Sequence, residues 1–283
     1  MRRLIVCADD FGRDVAINEA VEIAHRAGIL STASLMVGAP AAADAVARAR
    51  RLPGLRVGLH LVLVDGAPLL PPAEVAPLLG RDGRFDNSQL RAGLRWFFRP
   101  GMRRHLAAEI DAQFAAFVAT GLALDHVNAH KHMHVHPTVA RLVVEIGRRY
   151  GMRAVRLPNE PARVLRRAFP AEHHRIPTFR PAVTALRRRL RRAGLVSSDY
   201  LFGLAWSGRM TEERLLGLVP HLPAGTSEIY CHPATRESRD LVALMPGYRH
   251  VEELGALLSA RLRARIGELG ITLVGYRDLA PSR

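Results

Sequence analysis

Seven short apolar runs, at 4–8, 33–37, 57–61, 124–127, 154–157, 228–231 and 271–274, alternate with longer stretches in which apolar residues recur every three to four positions. Runs this short, bounded by turn signals, read as buried strands, and the three-to-four spacing reads as amphipathic helix over 17–27, 41–51, 103–119, 138–150, 212–219 and 251–269. Gly28, Gly121, Gly151 and Gly270 each lie just past one of these periodic runs, where glycine ends a helix without a Cβ penalty. Strand and helix in alternation predict βα units around a mostly parallel sheet. About seven units at this length predict a closed or nearly closed α/β barrel, with a doubly wound open sheet as the alternative.

Two regions break the alternation. Residues 64–100 and 158–203 are rich in Pro, Gly and Arg and are expected to be long loops or insertions over one rim, where binding specificity usually resides. Neither an internal repeat nor a low-complexity linker divides the chain, so residues 1–283 are expected to form a single domain with 158–203 as a basic insertion.

Composition narrows the class. Of 283 residues, 48% are hydrophobic and 24% charged, enough to build a core and too apolar for a disordered tail. Cys7 and Cys231 sit inside apolar runs and are expected to be free, buried thiols in a reducing compartment. The apolar run after Arg3 has five residues before Asp9 and Asp10, too short for a secretory core, and none reaches the roughly 18 residues of a membrane span, so a cytoplasmic location is expected.

The net charge is +15 and almost all of it is arginine, since Lys131 is the sole lysine. Residues 163–192 hold ten arginines against one acid, Glu172. Such a surface suits an anionic membrane, an acidic substrate or nucleic acid, and equally a merely solvated face. With 6% aromatic residues and no recognisable nucleic-acid-binding module there is little to stack bases, and no nucleic acid partner is expected.

The chemistry gathers where strands end. Asp9 and Asp10 follow 4–8, His60 closes 57–61, five of the thirteen histidines crowd into 126–136, and His232 follows 228–231. The C-terminal ends of parallel strands share one rim, so separate segments deliver carboxylates and imidazoles to one mouth, as a metal site requires. An extended stretch would put His130, His132, His134 and His136 on one face, whereas a helix would pair His126 with His130 and His130 with His134. Pro137 is placed to open the next helix, which leaves the cluster at a strand end and loop. Two adjacent carboxylates can divide labour, one binding a cation and the other handling a proton, while Asp14 stands where a helix cap is needed. Gly58, two residues before His60, permits close backbone approach.

Taken together, A-D-D-F-G (8–12), V-G-L-H-L (57–61), N-A-H-K-H-M-H (128–134) and E-I-Y-C-H-P (228–233) resemble the YdjC-like carbohydrate deacetylases, in order and over nearly the whole chain. The stretches R-A-G-I-L-S-T-A-S-L-M-V-G-A-P and L-P-G-L-R-V-G-L-H-L-V-L-V-D-G look most like the hopanoid-biosynthesis-associated branch, whose members are taken to deacetylate an N-acetylglucosaminyl hopanoid. The resemblance implies a distorted (β/α) barrel of about seven strands and hydrolysis of an N-acetyl group on a sugar. It implies one divalent metal ion on Asp10, His60 and His130, with Asp9 as general base. His232 is the candidate general acid. His132, His134, Asn128 and Phe11 are candidates to support the ligands or touch the substrate. Asn128 departs from relatives that often carry an acid there.

Family members are commonly described with magnesium, yet two imidazoles and a carboxylate suit zinc or a similar ion better. The alternative substrate is a soluble chitin-type oligosaccharide. A glycolipid substrate would give the arginines a purpose: 187–192 beside Leu186, Leu190 and Leu195 resembles a basic amphipathic surface helix, predicting peripheral contact with anionic lipid at the inner face of the membrane. Relatives often pair, so a homodimer is a further expectation.

Overall fold

Strand β1 (Arg2–Phe11) is buried along almost its whole length and has neighbours on both sides. In the computed structural model, which describes residues 1–172 and 180–279, it is joined by β2 (Thr32–Leu35), β3 (Arg56–Leu61), β4 (Leu124–Ala129), β5 (Tyr200–Phe202), β6 (Gly225–Cys231) and β7 (Ile271–Leu273). All pairs are parallel, in the order β4-β3-β2-β1-β6-β5, with β7 on the first residues of β1. Helices cover the sheet, which is why its strands are apolar runs rather than alternations.

Residues 154–156, expected as part of a strand, instead form isolated bridges on both sides. Val127 N–H donates to Ala154 O and Arg156 N–H to Val127 O, each at 3.0 Å, while Val155 N–H donates to Val196 O at 3.0 Å. Leu201 N–H then bonds Asn159 O at 3.0 Å. These contacts run from the β4 edge to β5 and bring the curled sheet round into a distorted barrel, and Pro158, without an N–H, stops the ladder from extending.

Five expected helices form near their predicted bounds: Val15–Ala27, Ala42–Arg50, Met102–Ala119, Pro137–Gly147 and Glu212–Leu218. Asp14 caps the first, its Oδ1 accepting from Ala16 N–H at 2.7 Å. The helix expected over 251–269 is two, His250–Leu258 and Ala260–Glu268, because Ser259 leaves helical geometry and caps the second through Leu262 N–H.

The two expected loop regions contain regular structure, including β5 and the helices Gln89–Phe98 and Arg180–Arg192. Residues 173–179, with Arg175 of the arginine-rich stretch, lie outside the described residues. Val183, Leu186, Leu190 and Leu195 are buried, so the apolar face of Arg180–Arg192 packs inward and its large apolar side chains are not available to a surface partner. Among the described residues no helix is long and apolar enough to cross a membrane. Cys7 and Cys231 are free and buried.

Candidate functional site

In a plain strand Asp9 and Asp10 would face opposite sides. At the end of β1 the pairing with β2 slips between Ala8 and Phe11, and Asp10 takes a left-handed φ of 62°, a conformation aspartate tolerates better than most residues. Both carboxylates thereby reach the surroundings of His60.

Asp10 Oδ1 lies 3.3 Å from His60 Nε2 and 3.2 Å from His130 Nδ1, yet makes no hydrogen bond among the described residues. The three donor atoms fall within 4.8 Å of one another, and all three residues are buried. Two imidazole nitrogens and a carboxylate oxygen turned on a common point make a set that could hold a divalent metal ion. His60 and Asn128 occupy paired positions on β3 and β4, and His60 Nδ1–H donates to Asn128 Oδ1 at 2.7 Å. That bond leaves the Nε2 lone pair toward Asp10, the usual way an outer partner fixes the tautomer of a metal-binding histidine. Asn128 Nδ2 donates to Ser34 Oγ at 2.9 Å and to Asp9 Oδ1 at 3.3 Å, so one amide ties His60 to Asp9.

Asp9 is gripped by Arg156, whose Nη1 donates to Oδ2 at 2.5 Å and Nη2 to Oδ1 at 2.8 Å; Arg156 Nε donates to Glu228 Oε1 at 2.9 Å. Burial alone would push the Asp9 carboxyl up, but the Arg156 charge and hydrogen bonds hold it far below the usual carboxylate range. The guanidinium is fully buried and matched by two carboxylates, the condition under which a buried cation is tolerated.

His130 begins the turn His130–Val135, in which Lys131 and His132 both have left-handed φ, 51° and 54°. Those two residues swing the histidines apart, so the cluster is neither the extended nor the helical arrangement. His132 Nε2 lies 3.3 Å from the Tyr230 hydroxyl, His134 Nε2–H donates to Arg156 O at 3.1 Å, and His136 Nε2–H to Gly93 O at 3.1 Å. His134 therefore steadies the backbone of the arginine that holds Asp9. Lys131 pairs with Asp65 at 2.7 Å, and Asp65 is 3.7 Å from His130 Nε2.

His232, just past β6, is buried between the rings of Tyr230 and Tyr248, with Nδ1 unpartnered among the described residues. Its backbone N–H donates to Glu253 Oε2 at 2.5 Å and its carbonyl accepts from His250 Nδ1–H at 2.6 Å. Burial lowers its imidazole pKa. Phe11, expected as a supporting or substrate residue, is fully buried in the core.

Sequence reasoning did not single out Arg156, Glu228 or Asp65. Glu228 left the one available signal, since an acid inside a predicted buried strand must have a cationic or hydrogen-bonding partner.

The family model described as YdjC-like protein matches residues 3–268. A carbohydrate deacetylase of Geobacillus stearothermophilus is 32% identical over 283 residues, covering 98% of each chain. A chitooligosaccharide deacetylase of Serratia marcescens is 30% identical over 288 residues, again covering 98% of each. The crystal structure of a protein from Enterococcus faecalis V583 superposes with a TM-score of 0.76 at 23% identity over 99% of each chain, which shows a shared fold.

Proposed function

Because this chain belongs to the YdjC-like protein family, a hydrolase of N-acetyl amides on carbohydrate, we propose that it removes the acetyl group from an N-acetylglucosaminyl hopanoid by metal-dependent hydrolysis. The observation that carries the hydrolytic part is the meeting of Asp10, His60 and His130 from three strand ends with Asp9 beside them. The lipid part rests on the resemblance of 26–40 and 52–66 to the hopanoid-associated branch.

An amide resists water because water is a weak nucleophile and an amine anion a very poor leaving group. Asp10, His60 and His130 would hold a divalent ion, which when bound would supply Lewis acidity toward water and the acetyl carbonyl, and the donor set favours zinc or a similar ion over magnesium. Asp9, held ionised and aimed by Arg156, takes the proton of the attacking water as its oxygen bonds to the carbonyl carbon. The carbon–nitrogen bond then breaks, the sugar nitrogen receives a proton from His232, and acetate leaves beside a free amine. His132, Tyr230 and Tyr248 surround this space and are the side chains we assign to the sugar. In this reading residues 1–283 act as one deacetylase domain.

Incubation of purified protein with N-acetylglucosaminyl hopanoid, with and without chelator, tests the proposal: acetate is released, and chelator stops it. The name of the Serratia relative favours a second reading, hydrolysis of soluble chitin-type oligosaccharides. Preference for free N-acetylated disaccharide over the glycolipid would select that reading.

A further inference from the structure

We infer that the helix Gln89–Phe98 docks the protein on an anionic lipid bilayer. The inference deepens the lipid-borne substrate reading and depends on it for its purpose, while its test is separate.

Leu90, Leu94, Phe97 and Phe98 are 74%, 49%, 60% and 71% exposed. Their spacing of four, three and one places them within about 100° of arc on one side of the helix. Single exposed hydrophobics need no explanation, but four on one face, with the two phenyl rings edge-on at 5.1 Å, form a patch. The opposite side anchors it: Ala92 and Trp96 are buried, Gln89 Nε2 donates to Lys131 O at 2.6 Å, His136 reaches Gly93 O, and Trp96 packs edge-on against the His136 ring at 5.6 Å. The patch is thus mounted on the turn that begins with His130. The arginine helix Arg180–Arg192 packs on the same turn.

Charge selects the occupant. Residues 81–104 contain seven arginines and two aspartates; Arg91 and Arg95 share Asp86 and Arg103 pairs with Glu145, so Arg81, Arg84, Arg99 and Arg104 are the ones without a carboxylate partner among the described residues. Apolar side chains rimmed by guanidinium groups match a bilayer whose phosphates meet the arginines while phenyl and leucyl groups enter the acyl boundary. A second copy of this chain would bring like charges face to face across a two-fold contact. The apolar face expected on Arg180–Arg192 is turned inward, so this helix offers what that one cannot.

The experiment is co-sedimentation with phosphatidylcholine vesicles, with and without phosphatidylglycerol, for wild type and the double variant Phe97→Ser, Phe98→Ser. Both residues are exposed, so melting and hydrolysis of a soluble N-acetylated disaccharide should stay at wild-type levels. Wild type should bind the anionic vesicles in a salt-sensitive way, and the variant should bind at least about tenfold more weakly. Equal binding of both, or no binding by wild type, overturns the inference. So does a dimer, seen by sedimentation without lipid, that the double variant dissolves. Deacetylation of the glycolipid in detergent micelles reports on the substrate reading independently.

Discussion

Arg156 holds Asp9 by both carboxylate oxygens while its Nε engages Glu228, so one guanidinium fixes the orientation of the proposed base. Lysine would keep the charge but not the planar fork. Arg156→Lys should therefore fold, retain its metal, and lose about 100-fold in kcat with little change in KM, because aim rather than substrate affinity is lost. Asp9→Asn should abolish turnover and keep the metal. Steady-state kinetics on a soluble N-acetylated sugar, with metal analysis of the same samples, decide both; a rise in KM alone for Arg156→Lys would move that residue to substrate binding.

Asn128 stands between His60 and Asp9 and is the outer partner that fixes the His60 tautomer. Asn128→Leu approximates the volume and removes the acceptor, leaving His60 free to turn its ring. Loss of such a partner typically weakens metal binding 10- to 100-fold, and that range is expected in a zinc titration against a competing chelator. An unchanged affinity would show that packing alone orients His60.

How far all this was readable follows from where each residue sits. Asp10, His60 and His130 lie at or next to strand ends, and parallel strands place such ends on one rim, so their meeting was legible from position. Gly58 was legible too: a Cβ there would come within 2.6 Å of the His126 ring and carbonyl oxygen. Arg156 was not, because residues 154–156 close the barrel by bridges rather than by a regular strand, and its partners Asp9 and Glu228 lie 147 and 72 positions away. The paths of His132, His134 and His136 depend on left-handed backbone at Lys131 and His132, for which those residue types give no local signal. In Gln89–Phe98 the more apolar stripe faces out and the buried one is only Ala92 and Trp96, so hydrophobic periodicity could not orient it.

Glu160 supplies a pH-dependent contribution. Its carboxylate accepts from Gly203, Leu204 and Ala205 N–H at 2.8, 3.0 and 2.9 Å, but burial outweighs these bonds and pushes its pKa up to about 7 from 4.5. A folded pKa above the unfolded one means that the folded state binds the proton more tightly. The stability Glu160 contributes is full below about pH 4.5 and is lost as pH rises through 7. The shift corresponds to about 3 kcal/mol. His134, lowered to about 3 by burial and by Arg156, works the other way, its contribution failing as pH falls below 6.5. Denaturant melts of wild type and Glu160→Gln isolate the first group, since glutamine does not titrate: the wild-type advantage should shrink across pH 4.5 to 8. A constant difference would mean that the three amides fully offset burial.

The metal centre should be visible in stability before any activity is assayed. Among the described residues Asp10 Oδ1 is buried without a hydrogen bond, and against the push of burial the charge of the neighbouring His130 holds the carboxyl well below its ordinary range. An ion bound there gives that oxygen a partner and stabilises only the folded chain. At a hundredfold excess over Kd the gain is about 2.7 kcal/mol, and at roughly 2–4 °C per kcal/mol for a chain of this size the melting temperature should rise by about 5–10 °C. Two nitrogens and one oxygen bind zinc more strongly than magnesium, so zinc should produce the rise at far lower concentration. Asp10→Asn should flatten the response to both ions, whereas Asp9→Asn should leave it intact. A magnesium response equal to that of zinc would show that oxygen ligands beyond Asp10 complete the site.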